Sequence, residues 1–475
     1  MPSSPGTRRV VVIGGGISGL SAAYYIRQLA RTSDLPVEVI LLEKERRVGG
    51  KFIARREDGY LVEGGPNGFL DSKPWTLDLV RDMGMESSLL PSDQAAARRF
   101  IFSRGKLHEL KASPLSFFLS DLLSLRGRLR IFGELVAPTT PPGEDTSLAE
   151  FARRRLGKEA LERMLDPMVS GIFAGDPERM SLRACFPRIA ELEEDYGGLV
   201  RAMVKIAAER KRAKRAGEQV PASSGPSGPG GVLTSFRGGV SELSDRLAES
   251  LGEGVRTAVG VSSVATAGGG WHIGTDRGDI SSDAVILATP ADAAAAILAG
   301  AAPRSAAVLA EIPYSPMAVI GLGYSLANVD DPPHGFGYLI PGIERRKILG
   351  ALWTSSIFPG NRSPERHFLI RAMVGGAKDH DTPFLDDETL VAVVRRELAA
   401  TMGLVAEPSF VTVFRWEKAI PLYTVGHLER LARAESLLPP GLVLTGNAYR
   451  GVGINDCVRE SKVSAQRVLD HLFPA

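Results

Sequence analysis

The sequence predicts an α/β fold built on a Rossmann-like dinucleotide-binding domain that begins near the N-terminus. Three observations predict it. The β-branched run Val10–Ile13 is typical of a buried parallel strand and leads directly into a glycine-rich turn. Apolar residues then recur at helical spacing between Ala22 and Ala30. A second apolar run ends in Glu43, which completes the first strand–helix–strand unit of such a domain.

Length and composition restrict the class of protein. The 475 residues are about three times the length of a typical domain, which predicts two or three domains. Hydrophobic residues make up 44% and charged residues 24%, as in a globular protein with a sizeable core. The net charge of +2 gives no global attraction to nucleic acid. Cys185 and Cys457 stand far apart and the seven histidines lack ligand spacing, so we expect neither a disulfide scaffold nor a metal site.

The turn after the first strand carries the residues that a dinucleotide requires. Gly14 permits a tight turn, Gly16 lets a pyrophosphate approach the backbone, and Gly19 allows the helix to pack closely on the strand. The phosphates would then meet the positive N-terminus of the helix. We expect Glu43 to accept hydrogen bonds from the ribose hydroxyls. The turn fits G-x-G-x-x-G and consists of Gly14, Gly15, Gly16, Ile17, Ser18 and Gly19.

Further glycine loops distinguish FAD from NAD. Residues 46–51 read RRVGGK, residues 63–68 read EGGPNG, and residues 446–455 read GNAYRGVGIN before the last predicted helix. In this order the loops resemble those of the FAD-dependent amine oxidase superfamily. The resemblance implies FAD as the cofactor. Beyond the first turn it implies contacts from Glu43, Lys44, Lys51, Gly65, Pro66, Asn67, Gly68, Val452, Gly453 and Ile454.

The remaining chain divides into a helical stretch, strand-rich stretches and a linker. Residues 110–209 have a mainly helical pattern. Short strands follow over 255–290 and 314–375, and the C-terminus predicts a strand, a glycine loop and a helix over 455–472. Residues 210–230 begin with a basic run and end in Ser, Gly and Pro, which predicts a mobile linker.

Several segments carry a closer resemblance. They are DPMVSGIFAGDP at 166–177, MSL at 180–182, CFP at 185–187, HGFGYLIP at 334–341 and GNAYRGVGINDCV at 446–458. Together they resemble the oxygen-dependent, FAD-containing protoporphyrinogen/coproporphyrinogen oxidase family over nearly the whole chain. The resemblance implies a FAD-binding domain of the glutathione-reductase type (1–92, 231–299 and 425–475), a mixed-sheet substrate-binding domain (93–110 and 300–424) and a helical domain (111–209).

The family resemblance also implies a reaction and a substrate site. A porphyrinogen, either protoporphyrinogen IX or coproporphyrinogen III, is oxidised to the porphyrin in heme biosynthesis, and oxygen reoxidises the flavin with release of hydrogen peroxide. Arg99 matches an arginine that pairs with a substrate propionate, a task that suits the permanently charged, bidentate guanidinium. Phe336, Leu339 and Met373 match apolar residues that sandwich the macrocycle. Gly171 matches a glycine whose backbone faces it.

Other features bear on the cofactor and the electron acceptor. Val259 and Trp416 match further FAD contacts, and we expect Cys457 to be a buried residue with no covalent link to the flavin. The chain has no second dinucleotide fingerprint, so the electrons are expected to pass to oxygen, or alternatively to a quinone. Two other functions stay open: a flavin-dependent amine or polyamine oxidase, and a non-catalytic FAD-binding protein.

Two features of the sequence bear on the cellular location of the protein. Residues 115–136 mix large apolar side chains with three arginines, which suits a helix on an anionic membrane surface and equally a helix buried against the substrate domain. The N-terminus shows no cleavable signal peptide, and no run of 18 uncharged apolar residues occurs. These features predict a cytoplasmic protein, with peripheral contact at the membrane left open. The family resemblance makes a homodimer plausible.

Overall fold

A computed structural model describes residues 6–110, 121–141, 143–215, 231–329 and 331–474. Most of the predicted linker therefore lies outside the described residues. Its first six residues are described and are helical, because the helix that begins at Leu199 continues to Arg215. The basic run there is rich in Lys, Arg and Ala, which are strong helix formers.

The strands and helices occupy the following ranges. The strands are β1 (Arg8–Ile13), β2 (Val37–Leu42), β3 (Ala54–Glu57), β4 (Tyr60–Glu63), β5 (Phe69–Leu70), β6 (Leu89–Pro91), β7 (Arg99–Ser103), β8 (Lys106–Leu110), β9 (Leu233–Phe236), β10 (Val255–Arg256), β11 (Val261–Ala267), β12 (Gly270–Thr275), β13 (Ile280–Ser282), β14 (Ala284–Leu287), β15 (Tyr314–Ser325), β16 (Gly337–Leu339), β17 (Ile348–Leu352), β18 (His367–Gly375), β19 (Phe410–Pro421) and β20 (Leu442–Leu444). The α-helices are α1 (Ile17–Thr32), α2 (Pro74–Asp82), α3 (Leu125–Phe132), α4 (Leu148–Arg155), α5 (Lys158–Ala160), α6 (Asp166–Phe173), α7 (Leu182–Cys185), α8 (Pro187–Tyr196), α9 (Leu199–Arg215), α10 (Ser241–Leu251), α11 (Ala291–Leu298), α12 (Pro303–Ala310), α13 (Thr354–Ile357), α14 (Asp387–Met402), α15 (His427–Ser436) and α16 (Ile454–Leu472).

A five-stranded parallel sheet in the order β10-β2-β1-β14-β20 forms the centre of the dinucleotide-binding region. Its central strands are buried on both faces, as their continuous apolar sequences predict. Helices α1, α10 and α16 pack on one face, and α11, α12 and the β11–β13 meander pack on the other. The predicted α/β fold with a Rossmann-like domain is confirmed.

A seven-stranded mixed sheet in the order β19-β15-β18-β17-β16-β7-β8 lies next to the dinucleotide-binding region. All its pairings are antiparallel except that of β16 with β7. One face packs on α14 through a large apolar core. The opposite face packs against β4 and α6, and it carries a smaller apolar cluster that includes Val319, Met373 and Phe414. This second face is the one turned toward the dinucleotide-binding region.

The helical part of the chain lies between these strands in sequence and contains α3 to α9. A fully buried ion-pair network joins its helices: Arg155 contacts Glu134 at 3.1 Å and Glu193 at 2.7 Å. Buried charges of this kind need partners, because an unpaired one is strongly destabilising. The described strands come from the segments assigned to the two other predicted domains, while the exact domain boundaries stay a prediction.

Candidate active site

The turn between β1 and α1 has the geometry of a phosphate-binding loop. Gly14 has a φ of +108°, and a Cβ on Gly19 would lie 1.9 Å from the carbonyl oxygen of Gly14. By contrast, nothing lies within 4 Å of the position that a Cβ on Gly16 would occupy. The space next to the backbone of Gly16, the N-cap of α1, is therefore free for a ligand. The corresponding space at Gly14 and Gly19 is filled by neighbouring backbone atoms. Gly15 lies between them and donates its N–H to Glu43.

Glu43 follows β2 at the same edge of the parallel sheet. Its carboxylate is buried and accepts hydrogen bonds from the backbone N–H groups of Gly15 at 2.7 Å and Glu45 at 2.9 Å. Each carboxylate oxygen can accept a second bond, so a ribose hydroxyl can still bind. Val259 donates its N–H to the Glu43 carbonyl at 2.9 Å and therefore adjoins the same place. The side chain of Lys44 is exposed, and its ammonium lies 3.8 Å from the Glu45 carboxylate.

The second wall of the cleft comes from the loops after Glu43. A Cβ on Gly50 would lie 3.3 Å from the Cα of Gly16, and one on Gly65 would lie 1.9 Å from the carbonyl oxygen of Lys51. Glycine is required at both points because the backbones touch. Burial lowers the pKa of Lys51 to about 8, and its ammonium lies 5.8 Å from the centre of the Tyr314 ring.

Several buried polar groups at this edge have no partner among the described residues. The hydroxyls of Thr289 and Thr445 lie just past the ends of β14 and β20, and the amide of Asn67 lacks a partner at both its oxygen and its nitrogen. The Tyr449 hydroxyl is unpartnered as well. Buried polar groups are almost always hydrogen-bonded. Ligands of open α/β sheets bind at the carboxyl ends of the strands, so these groups fit a polar cofactor bound there.

The N-terminus of α16 borders the same region. Gly453 is the N-cap of this 19-residue helix, Ile454 is buried at its first position, and Val452 packs on a neighbouring apolar cluster. The partial positive charge of such a helix end favours an anionic group. Cys457 is buried one turn further on, and burial raises the pKa of its thiol to about 11. A protonated thiol is a poor nucleophile, which fits the expectation of an unlinked residue.

The predicted substrate residues lie together on the second face of the mixed sheet. Residues directly opposite each other on paired strands share a face. Leu339 pairs with Gly350, Gly350 with Met373, Met373 with Val319, and Val319 with Phe414. The resulting row crosses five strands and contains two of the predicted macrocycle contacts.

Arg99 and Phe336 lie beside this row. Arg99 is opposite Gly337 on the neighbouring strand, and its guanidinium carbon lies 4.9 Å from the centre of the Phe336 ring. Among the described residues Arg99 has no carboxylate partner, although nearby protein atoms desolvate the guanidinium and lower its pKa. Gly171 on α6 approaches from above, since a Cβ there would lie 2.6 Å from the Cδ2 of Leu339. All five predicted substrate residues thus border one apolar surface, and Arg99 lies at its edge.

Trp416 joins this surface to the cofactor loops. Its indole Nε1–H donates to the carbonyl oxygen of Gly64 at 2.7 Å. Pro66 and Gly68 continue the same loop, and Gly68 lies against the carbonyl of Thr234. The cofactor loop and the substrate face therefore meet at Gly64 and Gly65.

The sequence predicted no site role for two charged residues: Arg371 at this junction and Asp166 at the start of α6. Arg371 is 4% exposed and donates to the carbonyl oxygen of Gly65. Asp166 at the start of α6 accepts from the N–H of Gly342 at 2.6 Å and from Lys378 at 2.5 Å. It thus ties together the ends of the elements that carry Gly171, Leu339 and Met373. A charge inside the apolar run HFLIRAMVGG was the available signal for Arg371.

Comparison with known proteins agrees with this geometry. A model of the flavin containing amine oxidoreductase family matches residues 17–469. The coproporphyrinogen III oxidase of Bacillus subtilis (strain 168) is 31% identical over 99% of this chain and 100% of its own length. The chain belongs to this flavoprotein family, in the group of protoporphyrinogen and coproporphyrinogen oxidases. FAD is its cofactor.

Other members of the family cover nearly the whole chain too. Protoporphyrinogen oxidase 1 of the Arabidopsis thaliana chloroplast is 33% identical over 97% of this chain and 88% of its own length. A crystal structure from Exiguobacterium sp. 255-15, provisionally named a protoporphyrinogen oxidase, is 26% identical with a TM-score of 0.81, covering 98% of this chain and 99% of its own. In the part of the chain that the structure describes, no helix is both long and apolar enough to cross a membrane.

The residues present fit FAD. The open backbone at Gly16 suits a pyrophosphate, the Glu43 carboxylate suits a ribose, and the unpartnered Asn67 amide suits a polar ring edge. When bound, FAD supplies a two-electron acceptor for a substrate on the neighbouring sheet face.

We expect Gly16→Val to yield a folded protein without flavin, because the new side chain fills the space where the pyrophosphate would approach. Gly300→Val is the matched control, since nothing lies within 4 Å of its Cβ position either and it is far from the turn. Flavin absorbance per protein, with circular dichroism for folding, measures both. Full flavin content in Gly16→Val would contradict the placement of the pyrophosphate.

Proposed function

We propose that this flavoprotein oxidises a porphyrinogen to the porphyrin, with oxygen as the electron acceptor and hydrogen peroxide as the second product. The observation that carries the proposal is the single surface formed by Arg99, Phe336, Leu339, Met373 and Gly171 beside the cofactor loops. A broad apolar face with one cation at its edge matches a flat macrocycle that carries carboxylates on its rim. The names of the relatives support the same substrate class.

Arg99 binds a propionate in this proposal. Its guanidinium has no carboxylate partner among the described residues, and the Phe336 ring holds it in place by a cation–π contact. Bidentate binding fixes the macrocycle in orientation as well as in position, because both carboxylate oxygens are engaged. The carboxylate end stays near solvent, where its desolvation costs little.

The apolar row positions the macrocycle. Met373 and Leu339 present side chains, and the Leu339 side chain covers Gly350, which lies between them in the row. Gly171 brings the backbone of α6 close to Leu339 and so limits the height of the space above the sheet. In this proposal the flat ring lies against the apolar row, which excludes water from that face of the ring and so protects the reacting carbon.

The charge of the surface disfavours the alternative of an amine oxidase. An amine substrate is a cation when protonated, and it would meet Arg99 rather than a carboxylate. Like charges at close range cost free energy, most of all in a poorly solvated site. Protoporphyrinogen and coproporphyrinogen both satisfy the site as proposed, since each carries propionates.

Exposed apolar side chains on α3 support the proposal that this helix contacts membranes. On α3 the side chains of Leu125, Leu129 and Phe132 are 73%, 62% and 61% exposed. They recur along one helix together with Arg126 and Arg128, the pattern of a helix that lies on an anionic lipid surface. Exposure favours this reading over burial against the substrate domain.

The membrane contact is tested with anionic lipid vesicles. We expect the wild-type protein to sediment with them and Leu129→Glu to remain largely in the supernatant. Val405→Glu serves as the control, because Val405 is also strongly exposed but lies outside the helical region. Equal sedimentation of the three proteins would contradict the assignment.

Oxygen as the acceptor is tested without any nicotinamide cofactor. With porphyrinogen supplied, we expect oxygen uptake and peroxide formation to accompany the appearance of porphyrin fluorescence. Activity that depends on a quinone would correct the acceptor alone, whereas a requirement for NADP⁺ would contradict the proposed reaction.

Arg99→Ala should lower kcat/KM for the porphyrinogen by about ten- to a hundredfold, because a charge-assisted hydrogen bond is worth about 1.5–3 kcal/mol. Arg99→Lys should recover part of this, since it keeps the charge and loses the planar fork. The flavin spectrum should not change. Initial rates of porphyrin fluorescence measure all variants.

Arg98→Ala is the matched control, because Arg98 is the neighbouring residue and already pairs with Glu109 at 2.8 Å. It should keep wild-type kcat/KM. If Arg99→Ala behaved like Arg98→Ala, the assignment of Arg99 to the substrate carboxylate would be wrong.

A further inference from the structure

Arg371 is a buried cation without a matching anion. Its side chain is 4% exposed, and among the described residues no carboxylate lies within ion-pair distance of it. One terminal nitrogen donates to the carbonyl oxygen of Gly65, while its buried Nε has no hydrogen-bond partner in the described structure. Burying an unpaired charge costs free energy, so its retention calls for an anion that the bare chain does not supply.

Glu63 is the carboxylate that acts electrostatically on Arg371, and it balances the charge of Arg371 only weakly. Its Oε1 already accepts from Arg362 at 3.4 Å and from the N–H of Val240 at 3.0 Å. Burial raises the pKa of Glu63 to about 7, because desolvation disfavours the charged carboxylate. Burial also lowers the pKa of Arg371 to about 10, which still leaves the guanidinium charged.

The position of Arg371 points to the cofactor rather than to the substrate edge. The chain of close contacts runs from Gly16 to Gly50, from Lys51 to Gly65, and from Gly65 to Arg371. Arg371 therefore lies directly behind the wall of the cofactor cleft. Arg99, at the far side of the same sheet face, already provides a solvent-accessible cation for a carboxylate.

We propose that Arg371 provides the fixed positive charge that stabilises the negative charge of the reduced flavin. When bound, a flavin that accepts a hydride, which carries two electrons and one proton, would gain one negative charge, and Arg371 would lie behind the wall that holds it. A preorganised charge in a poorly solvated wall stabilises such an anion with no reorganisation. Arg371 is thus a positioning and electrostatic residue for the Gly65 loop, and this role rests on the proposed flavin chemistry of the site.

The test is the midpoint potential of the bound flavin, measured in the holoenzyme by anaerobic equilibration with a reference dye and without porphyrinogen. Arg371→Gln keeps a hydrogen-bond donor and loses the charge, so the equilibrium constant for reduction should fall at least tenfold. For a two-electron couple this is about 30 mV toward more negative potential. Arg371→Lys keeps the charge and should stay close to the wild-type potential.

Arg415→Gln is the matched control. Arg415 lies on β19 of the same sheet, but it pairs opposite Ala318, which belongs to the core on the other face. Its side chain donates to the carbonyl oxygens of Pro383 and Leu385. The potential of this variant should be unchanged.

Stability provides a second readout. Because Arg371→Gln removes an unpaired buried charge, its apoprotein should melt at the wild-type temperature or above it.

A variant that unfolds, or a Gln and a Lys variant that shift the potential equally, would show a structural role and overturn the proposal. An unchanged potential combined with a raised KM would assign Arg371 to the substrate, which also overturns it. If Arg371→Gln shifts the flavin potential as expected but the wild-type protein does not oxidise porphyrinogen, only the proposed function would be contradicted.

Discussion

The contact between Gly19 and the carbonyl oxygen of Gly14 is the constraint on which the cofactor half of the molecule depends. A Cβ at residue 19 would lie 1.9 Å from that oxygen, so any other residue would push α1 away from β1. With α1 in place, its N-terminus and the open backbone at Gly16 meet the carboxyl ends of the parallel strands. The loops that carry Gly50 and Gly65 then close on this turn, and the sheet face behind them becomes the floor of the substrate site.

The two sides of the candidate site differ in polarity: the cofactor side is polar and the substrate side is mainly apolar. The cofactor side presents backbone N–H groups, a helix N-terminus and unpartnered polar side chains, which suit a ligand rich in oxygen atoms. The substrate side presents an apolar row with Arg99 at its edge. Between them lies Arg371, which has no carboxylate within ion-pair distance among the described residues. In the proposed reaction a hydride moves from one side to the other, and Arg371 would stabilise the negative charge that results.

The sequence predicted the first βαβ unit well because local patterns determine it: an apolar strand, three spaced glycines and a helical stripe. The candidate substrate residues came only from the family resemblance, since the row from Leu339 to Phe414 depends on the register of five strands distant in the chain. Arg371 was missed because the pattern of its strand predicts only a buried strand and gives the single charge within it no role. The end of α9 was missed because a basic run can extend a helix as readily as open a linker.

Whether the sheet face and the glycine loops form one active site is tested most directly by mixing the flavin-loaded protein with a porphyrinogen in the absence of oxygen. The visible absorbance of the flavin is followed. We predict that one equivalent of porphyrinogen bleaches the flavin in a single turnover, and that admitting oxygen restores the absorbance with no nicotinamide present. A flavin that stays oxidised under these conditions, in a protein that binds the porphyrinogen, would contradict the claim that the sheet face and the glycine loops form one active site.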